Sequence, residues 1–266
     1  MLRTFFLYPM KKYQKNLSIV SNIKLNEDYF VLGLSSSDPL PEMWPGQFAE
    51  VLVENNPKVF LRRPISIHDV DYENNFLYLL IKIIGEGTRS LSHLKEGMQL
   101  NLLFPLGNSF TMENVGKVLL AGGGCGIAPL LYLARCLHNR NVKVNILLGG
   151  RTASDILRTS EFEKYGDIFI STDDGSLGEK GFITKHSLLE NIKDYDRLYC
   201  CGPEIMMKVF AAIADEQEVD CEVSLENTMA CGIGACLCCV TKTIHGHKCV
   251  CTEGPVFNIK LLTWQT

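Results

Sequence analysis

The sequence predicts an α/β protein with an all-β N-terminal domain: an antiparallel β-barrel, a Rossmann-like unit, then a small cysteine-rich module. Three observations predict it. Short β-rich runs punctuated by turn signals recur about every ten residues as far as about residue 110. A continuous apolar strand, a glycine turn, a helical stretch and a second apolar strand then follow within about 30 residues. Finally, six of the eleven cysteines crowd into the segment 231–251. At roughly 100 to 200 residues per domain, 266 residues suit two compact domains and an appendage. The texture changes place them at 10–112, 113–225 and 226–266.

Composition narrows the function classes. With 46% hydrophobic and 21% charged residues the chain is globular. Its net charge of −4 lacks the basic excess that phosphate backbones select, so nucleic acid is not an expected partner. The longest apolar stretch, 118–134, is shorter than the roughly 20 residues a bilayer needs and is broken by four glycines and Pro129. The opening MLRTFFLYPM has no small-residue cleavage site after a proper hydrophobic core, and Met10 is an alternative start. An odd cysteine count, clustered and without an export signal, argues against a disulfide framework and for a metal site in a reducing compartment. The expected location is the cytoplasm.

In the first domain the clearest strands are 29–34, 48–53 after Pro45-Gly46, and 76–84 before Gly85-Glu86-Gly87. Arg63-Pro64-Ile65-Ser66 and Gly85-Glu86-Gly87-Thr88 stand out between them. A flavin needs a cation and backbone amides for its pyrophosphate, and a hydroxyl or N–H near N5 where hydride arrives. Arg63 and Ser66, on opposite faces of the ladder or across a bend, have the right chemistry for both.

The second domain opens with the apolar strand Val118-Leu119-Leu120-Ala121 and the loop Gly122-Gly123-Gly124-Cys125-Gly126, followed by a helix from near Ile127 to about His138. Pro129 suits its first turn, and a pyrophosphate can dock on N–H groups at such a helix start. The loop departs from G-x-G-x-x-G, since Ile127 stands at the third glycine, and it lacks the Lys-[Ser/Thr] of a P-loop. Further elements are expected as strands at 142–148, 167–171 and 197–201 and a helix over 203–215. The strand ending at Gly149-Gly150-Arg151 reaches the position where NAD and NADP are told apart, and Arg151 with Asp155 leaves that choice open.

The third element is read from its thiols. Cys231-x4-Cys236-x2-Cys239 reproduces the C-x4-C-x2-C start of a plant-type 2Fe-2S site, with Cys249 or Cys251 as the distant fourth ligand. Those two lie two apart and would share one face of a strand. Gly232 and Gly234 leave room for N–H groups to approach the bridging sulfides. A structural zinc site also uses Cys-x2-Cys pairs, but Cys249-x-Cys251 has one residue too few between its thiols and Cys231 is superfluous. Cys238 reads as a small buried hydrophobe beside the loop, and Cys136 and Cys221 as core filler.

Taken together, Pro45-Gly46-Gln47-Phe48, Arg63-Pro64-Ile65-Ser66, Gly85-Glu86-Gly87-Thr88, the glycine loop through Pro129 and Cys200-Cys201-Gly202-Pro203 resemble the ferredoxin-reductase-like flavoproteins. The segment Met229-Ala230-Cys231-Gly232-Ile233-Gly234-Ala235-Cys236 with Cys251-Thr252-Glu253-Gly254-Pro255-Val256-Phe257 is similar to one family among them, the electron-transfer subunits of dihydroorotate dehydrogenase B. The likeness covers nearly the whole chain from Met10 onward. It implies an FAD-binding β-barrel, a Rossmann-like NAD-binding domain and a C-terminal 2Fe-2S module. Its implied FAD contacts are Arg63, Pro64, Ile65, Ser66, Leu80, Ile81, Lys82, Gly87 and Thr88. NAD would meet Gly122, Gly123, Gly124, Cys125, Gly126 and Cys201, with Ser66 and Cys201 near flavin N5 and nicotinamide. The cluster ligands would be Cys231, Cys236, Cys239 and Cys251, and the resemblance tilts the nucleotide choice toward NAD(H).

It further implies a role in pyrimidine biosynthesis. A separate FMN-containing catalytic subunit oxidises dihydroorotate, in a heterotetramer with two of each chain, and electrons pass through 2Fe-2S and FAD to NAD+. No dihydroorotate site is expected here, and Cys231, Cys236 and Cys239 would face the partner. The surplus thiols Cys238 and Cys249 depart from the pattern. Two rivals remain: a related NAD(P)H-dependent reductase serving a ferredoxin or other redox partner, and a zinc-stabilised nucleotide-sensing module.

Overall fold

The computed structural model describes residues 11–54 and 56–265; the alternative start at Met10 lies outside them. Six antiparallel strands close the N-terminal barrel: β1 (Tyr13–Lys24), β2 (Tyr29–Ser35), β3 (Phe48–Val51), β4 (Arg63–Asp71), β5 (Phe76–Lys82) and β6 (Gln99–Leu106), in the order β1-β2-β5-β4-β3-β6. Closure leaves no unpaired edge. Inward positions such as Leu17, Leu32, Ile67, Leu79 and Leu102 are fully buried in one hydrophobic core. Between β4 and β5 the register slips between Ile67 and Asp69, so His68 is the extra residue of a bulge. The short helix α1 (Glu86–Ser92) follows β5.

The second unit is a seven-stranded sheet, β10-β9-β8-β7-β11-β12-β15. Its strands are β7 (Lys117–Gly123), β8 (Lys143–Gly150), β9 (Asp167–Thr172), β10 (Glu179–Lys180), β11 (Arg197–Cys201), β12 (Asp220–Ser224) and β15 (Val256–Asn258). All pair in parallel except β15, which runs antiparallel along β12. After Lys117, β7 is apolar and buried because helices cover both of its faces. A 3-10 turn over Gly124–Ile127 leads into α2 (Ala128–His138), whose buried face carries Leu130, Leu131, Leu133, Ala134 and Leu137. The short α3 (Thr159–Phe162) precedes β9, and α4 (Glu204–Glu216) packs Met207, Phe210 and Ala211 into the core.

After β12 the chain makes the cysteine loop, the hairpin of β13 (Val240–Thr243) and β14 (Gly246–Cys249), and the single turn α5 (Val250–Glu253), then returns as β15. Cys239, Val250, Cys251 and Phe257 share one hydrophobic core with Phe48 and Leu106 of the barrel and Leu119 of the sheet. No described helix is long and apolar enough to cross a membrane.

Candidate cofactor sites

Barrel and sheet meet at a cavity of about 500 Å³, within the range of small-molecule and cofactor sites. Arg63, Pro64, Ile65 and Ser66 of β4, Leu80, Ile81 and Lys82 of β5, and Gly87 and Thr88 of α1 all line it. The bulge downstream turns β4 toward α2, whose Ala128 closes another side together with Cys125. Arg63 donates to the carbonyls of Leu61 and Arg62 at 2.9 and 3.2 Å. Its guanidinium lies against Gly87, where an added Cβ would sit 2.6 Å from Nε. Thr88 Oγ1 accepts the N–H groups of Ile84 and Gly85, closing the turn. A backbone cradle beside a cation is what a pyrophosphate requires, so the residues present fit a flavin dinucleotide.

The opposite wall is a segment that sequence reasoning missed. Ser224, Leu225, Glu226, Asn227, Thr228 and Met229, the connector from β12 to the cysteine loop, line the same cavity. Burial raises the Glu226 carboxyl while Lys82 opposes the rise. Lys82 also stands 5.3 Å from the Tyr29 ring centroid. Desolvation, helped by Glu226, pushes the Cys125 thiol up to about 12, so it stays protonated. Only hindsight marks Glu226 in the sequence: it directly precedes the cysteine loop, but its partners lie on β5 and the glycine turn.

The expected nicotinamide residues are not all in the cavity. Cys125 lines it, whereas Gly122, Gly123, Gly124 and Gly126 form the turn behind. Cys201 is buried, its Sγ 3.6 Å from the Ser224 carbonyl, and a Cβ on Gly126 would lie 2.1 Å from the Cys201 carbonyl oxygen. Arg151 donates to Asp155 from backbone and side chain, both at 3.1 Å, so its charge is already partnered.

In the cysteine loop the thiols associate in twos, Cys231 with Cys236 and Cys239 with Cys251. Among the described residues no three His, Cys, Asp or Glu side chains form a single-ion site. Two pairs of thiols suit two irons with two thiolates each better than one tetrahedral zinc. Burial opposes ionisation of Cys231, but N–H groups of Ile233, Cys236 and Ala235 outweigh it and bring the thiol down to about 6. Gly234 N–H donates to Cys251 Sγ at 3.2 Å and Cys251 N–H to Cys239 Sγ at 3.4 Å. The backbone thus surrounds sulfur as a cluster site demands.

Three expectations need correction. Cys249 and Cys251 do not share a strand face, because β14 ends at Cys249 and Cys251 lies in the turn α5. Cys238 is exposed: it follows Leu237, whose positive φ of 57° turns the loop outward. Of the three thiols expected to face a partner, Cys236 is exposed and Cys231 half-buried, but Cys239 is buried against the core. A further buried group, Glu50 on β3, carries two carboxylate oxygens without a hydrogen-bond partner among the described residues. Gly232 packs on it, and burial raises it to about 7 against the pull of Arg62.

Fold and sites define the class: a ferredoxin-reductase-like oxidoreductase with an iron-sulfur module. Residues 226–263 match the iron-sulfur cluster binding domain of dihydroorotate dehydrogenase B, and 120–212 the oxidoreductase NAD-binding domain. "Dihydroorotate dehydrogenase B (NAD(+)), electron transfer subunit" of Clostridium acetobutylicum is 40% identical over 93% of this chain and 96% of its own. The protein of the same name from Fusobacterium nucleatum is 35% identical over 91% and 96%. The chain belongs to this family of electron transfer subunits. Among solved structures, an NADH-dependent reduced ferredoxin-NADP oxidoreductase studied for flavin-based electron bifurcation shares 32% identity, with TM-score 0.84 over 93% of this chain and 90% of that one. The ferredoxin reductase of carbazole 1,9a-dioxygenase shares 25% with TM-score 0.70, over 79% and 68%.

Proposed function

We propose that this chain is the electron-transfer subunit of an NAD-dependent dihydroorotate dehydrogenase in pyrimidine biosynthesis, carrying electrons from an FMN-containing catalytic subunit to NAD+. The carrying observation is one cavity lined by all nine residues expected to contact flavin and closed by the connector to the cysteine loop. FAD held here would supply hydride exchange with nicotinamide and single-electron exchange with a 2Fe-2S cluster. The chain's own residues hold and orient these groups. Arg63 and the turn at Gly87 and Thr88 neutralise a pyrophosphate, and Ser66, Ile65 and Lys82 line the place for a flavin ring. Cys125, kept neutral by burial, lines the same cavity without adding charge. Cys231, Cys236, Cys239 and Cys251 would hold the cluster at the other end of the connector. The functional units are 10–112, 113–225 and 226–266, and the assembly is two of this chain with two catalytic subunits.

The test is Cys236→Ser, the exposed ligand, in the coexpressed complex. NADH-to-dye activity is expected to remain largely intact while dihydroorotate-dependent NAD+ reduction is abolished. Equal loss of both refutes this electron path. The likeness to the NADH-dependent ferredoxin-NADP oxidoreductase favours a second reading, a reductase subunit serving another redox partner. An anaerobic titration in which NADH reduces both centres but dihydroorotate never does, even with the catalytic subunit present, selects it.

A further inference from the structure

The helix α2 is tied to the barrel along one stripe. Ala128 carbonyl accepts from His68 Nδ1 at 2.8 Å, Tyr132 donates its hydroxyl to the Met43 carbonyl at 2.9 Å, and Arg135 donates to Asp69 at 2.6 and 2.9 Å. These positions, i, i+4 and i+7, are successive turns of one helix face. The first tie differs from the others in place. Ala128 and Cys125 line the cavity from the sheet side and Ser66, two residues before His68, lines it from the barrel.

His68 is fully buried, and the bulge aims it at the helix while Ile67 points into the barrel core. Its hydrogen bond to a carbonyl requires the proton on Nδ1. Nε2 is buried with no partner among the described residues, and the charges that act on the ring, Arg158 and Glu161, are paired with each other at 2.9 Å. Burial keeps the ring neutral at ordinary pH. A buried imidazole with one nitrogen unsatisfied is a poor stabilising device, since the orphaned atom carries a desolvation cost that an apolar side chain avoids. A positional duty explains its presence better.

We propose that His68 is a positioning residue for hydride transfer: through the Ala128 carbonyl it fixes the cavity wall bearing Cys125 against the wall bearing Ser66, and so sets the gap in which nicotinamide meets flavin. The proposal rests on the functional reading above. Hydride transfer depends steeply on the separation of the reacting atoms, so a small relaxation of this tie is felt as rate and not as affinity.

The experiment compares wild type, His68→Leu, His68→Asn and Tyr132→Phe as full-length FAD-loaded protein, with NADH as probe. Flavin bleaching, the long-wavelength charge-transfer absorbance and FAD content are read. His68→Leu is expected to slow bleaching at saturating NADH about tenfold, to weaken the charge-transfer band, and to leave FAD content and KM for NADH nearly unchanged. The Asn amide occupies the place of Nδ1, so His68→Asn is expected to recover to within about twofold of wild type. Tyr132→Phe lowers thermal stability without slowing bleaching. A leucine variant as fast as wild type, an asparagine variant no better than leucine, FAD lost in proportion to rate, or a Tyr132→Phe protein equally slowed each overturns the proposal. If NADH does not bleach the wild-type flavin, the functional reading falls and this inference with it.

Discussion

Gly126 is where the smallest chemical change has the largest expected effect. A methyl there would drive into the Cys201 backbone, 2.1 Å from its carbonyl oxygen, whereas at Gly116 the nearest atom, Asp196 Oδ2, is an ordinary 3.6 Å away. Gly126→Ala is therefore expected to raise KM for NADH at least tenfold while Gly116→Ala stays near wild type, as steady-state kinetics will show. His68 gives a pH signature. Buried neutral with its pKa lowered from 6.5 to about 4, it binds fewer protons folded than unfolded between those values. Its contribution is present above pH 6.5 and lost as pH falls toward 4, about 3 kcal/mol across that window. Urea unfolding at pH 7 and pH 4.5 should show a smaller difference for His68→Asn than for wild type. Arg63, Ser66 and the cluster thiols could be singled out in the sequence as candidates because their chemistry sits in short local motifs. His68, Glu226 and Glu50 were not, because what makes each of them unusual is a neighbour 60 or more residues away or a missing partner.

At the scale of elements, long apolar strands and helices were readable and turns between them were not. β11 falls where the sequence places it, and α4 within a residue at each end, since both follow simple hydrophobic periods. The pair Cys249 and Cys251 was misread as a strand face because the switch from β14 to α5 is fixed by tertiary bonds, Val250 N–H to the Cys239 carbonyl at 3.1 Å and Cys249 N–H to Glu253 at 3.0 Å. That switch supports Cys251 over Cys249 as the proposed fourth ligand, because the Gly234 N–H goes to Cys251. Cys251→Ser is expected to lose the cluster and Cys249→Ser to keep it, judged by iron content and the visible spectrum of the purified proteins. Cys249 retaining iron in the Cys251→Ser protein would reverse the assignment.

For the whole molecule, the sequence separated barrel, sheet and module but did not reveal how tightly they are joined. The joint between barrel and sheet is partly ionic: Arg135 binds Asp69, whose carboxyl burial raises even against the pull of that guanidinium. Removing one partner of a half-buried pair leaves the other uncompensated, so Arg135→Ala should cost about 2 kcal/mol in chemical unfolding. The module is joined at both ends. It leaves the sheet after β12 and returns to it as β15, and Asn108 beyond the barrel bonds Glu253, Gly254 and Val256. A redox centre sewn in at two seams has no tether on which to swing. Its electron tunnelling distance to the cavity is set when the chain folds, and turnover between the two centres should be as fast in glycerol as in water.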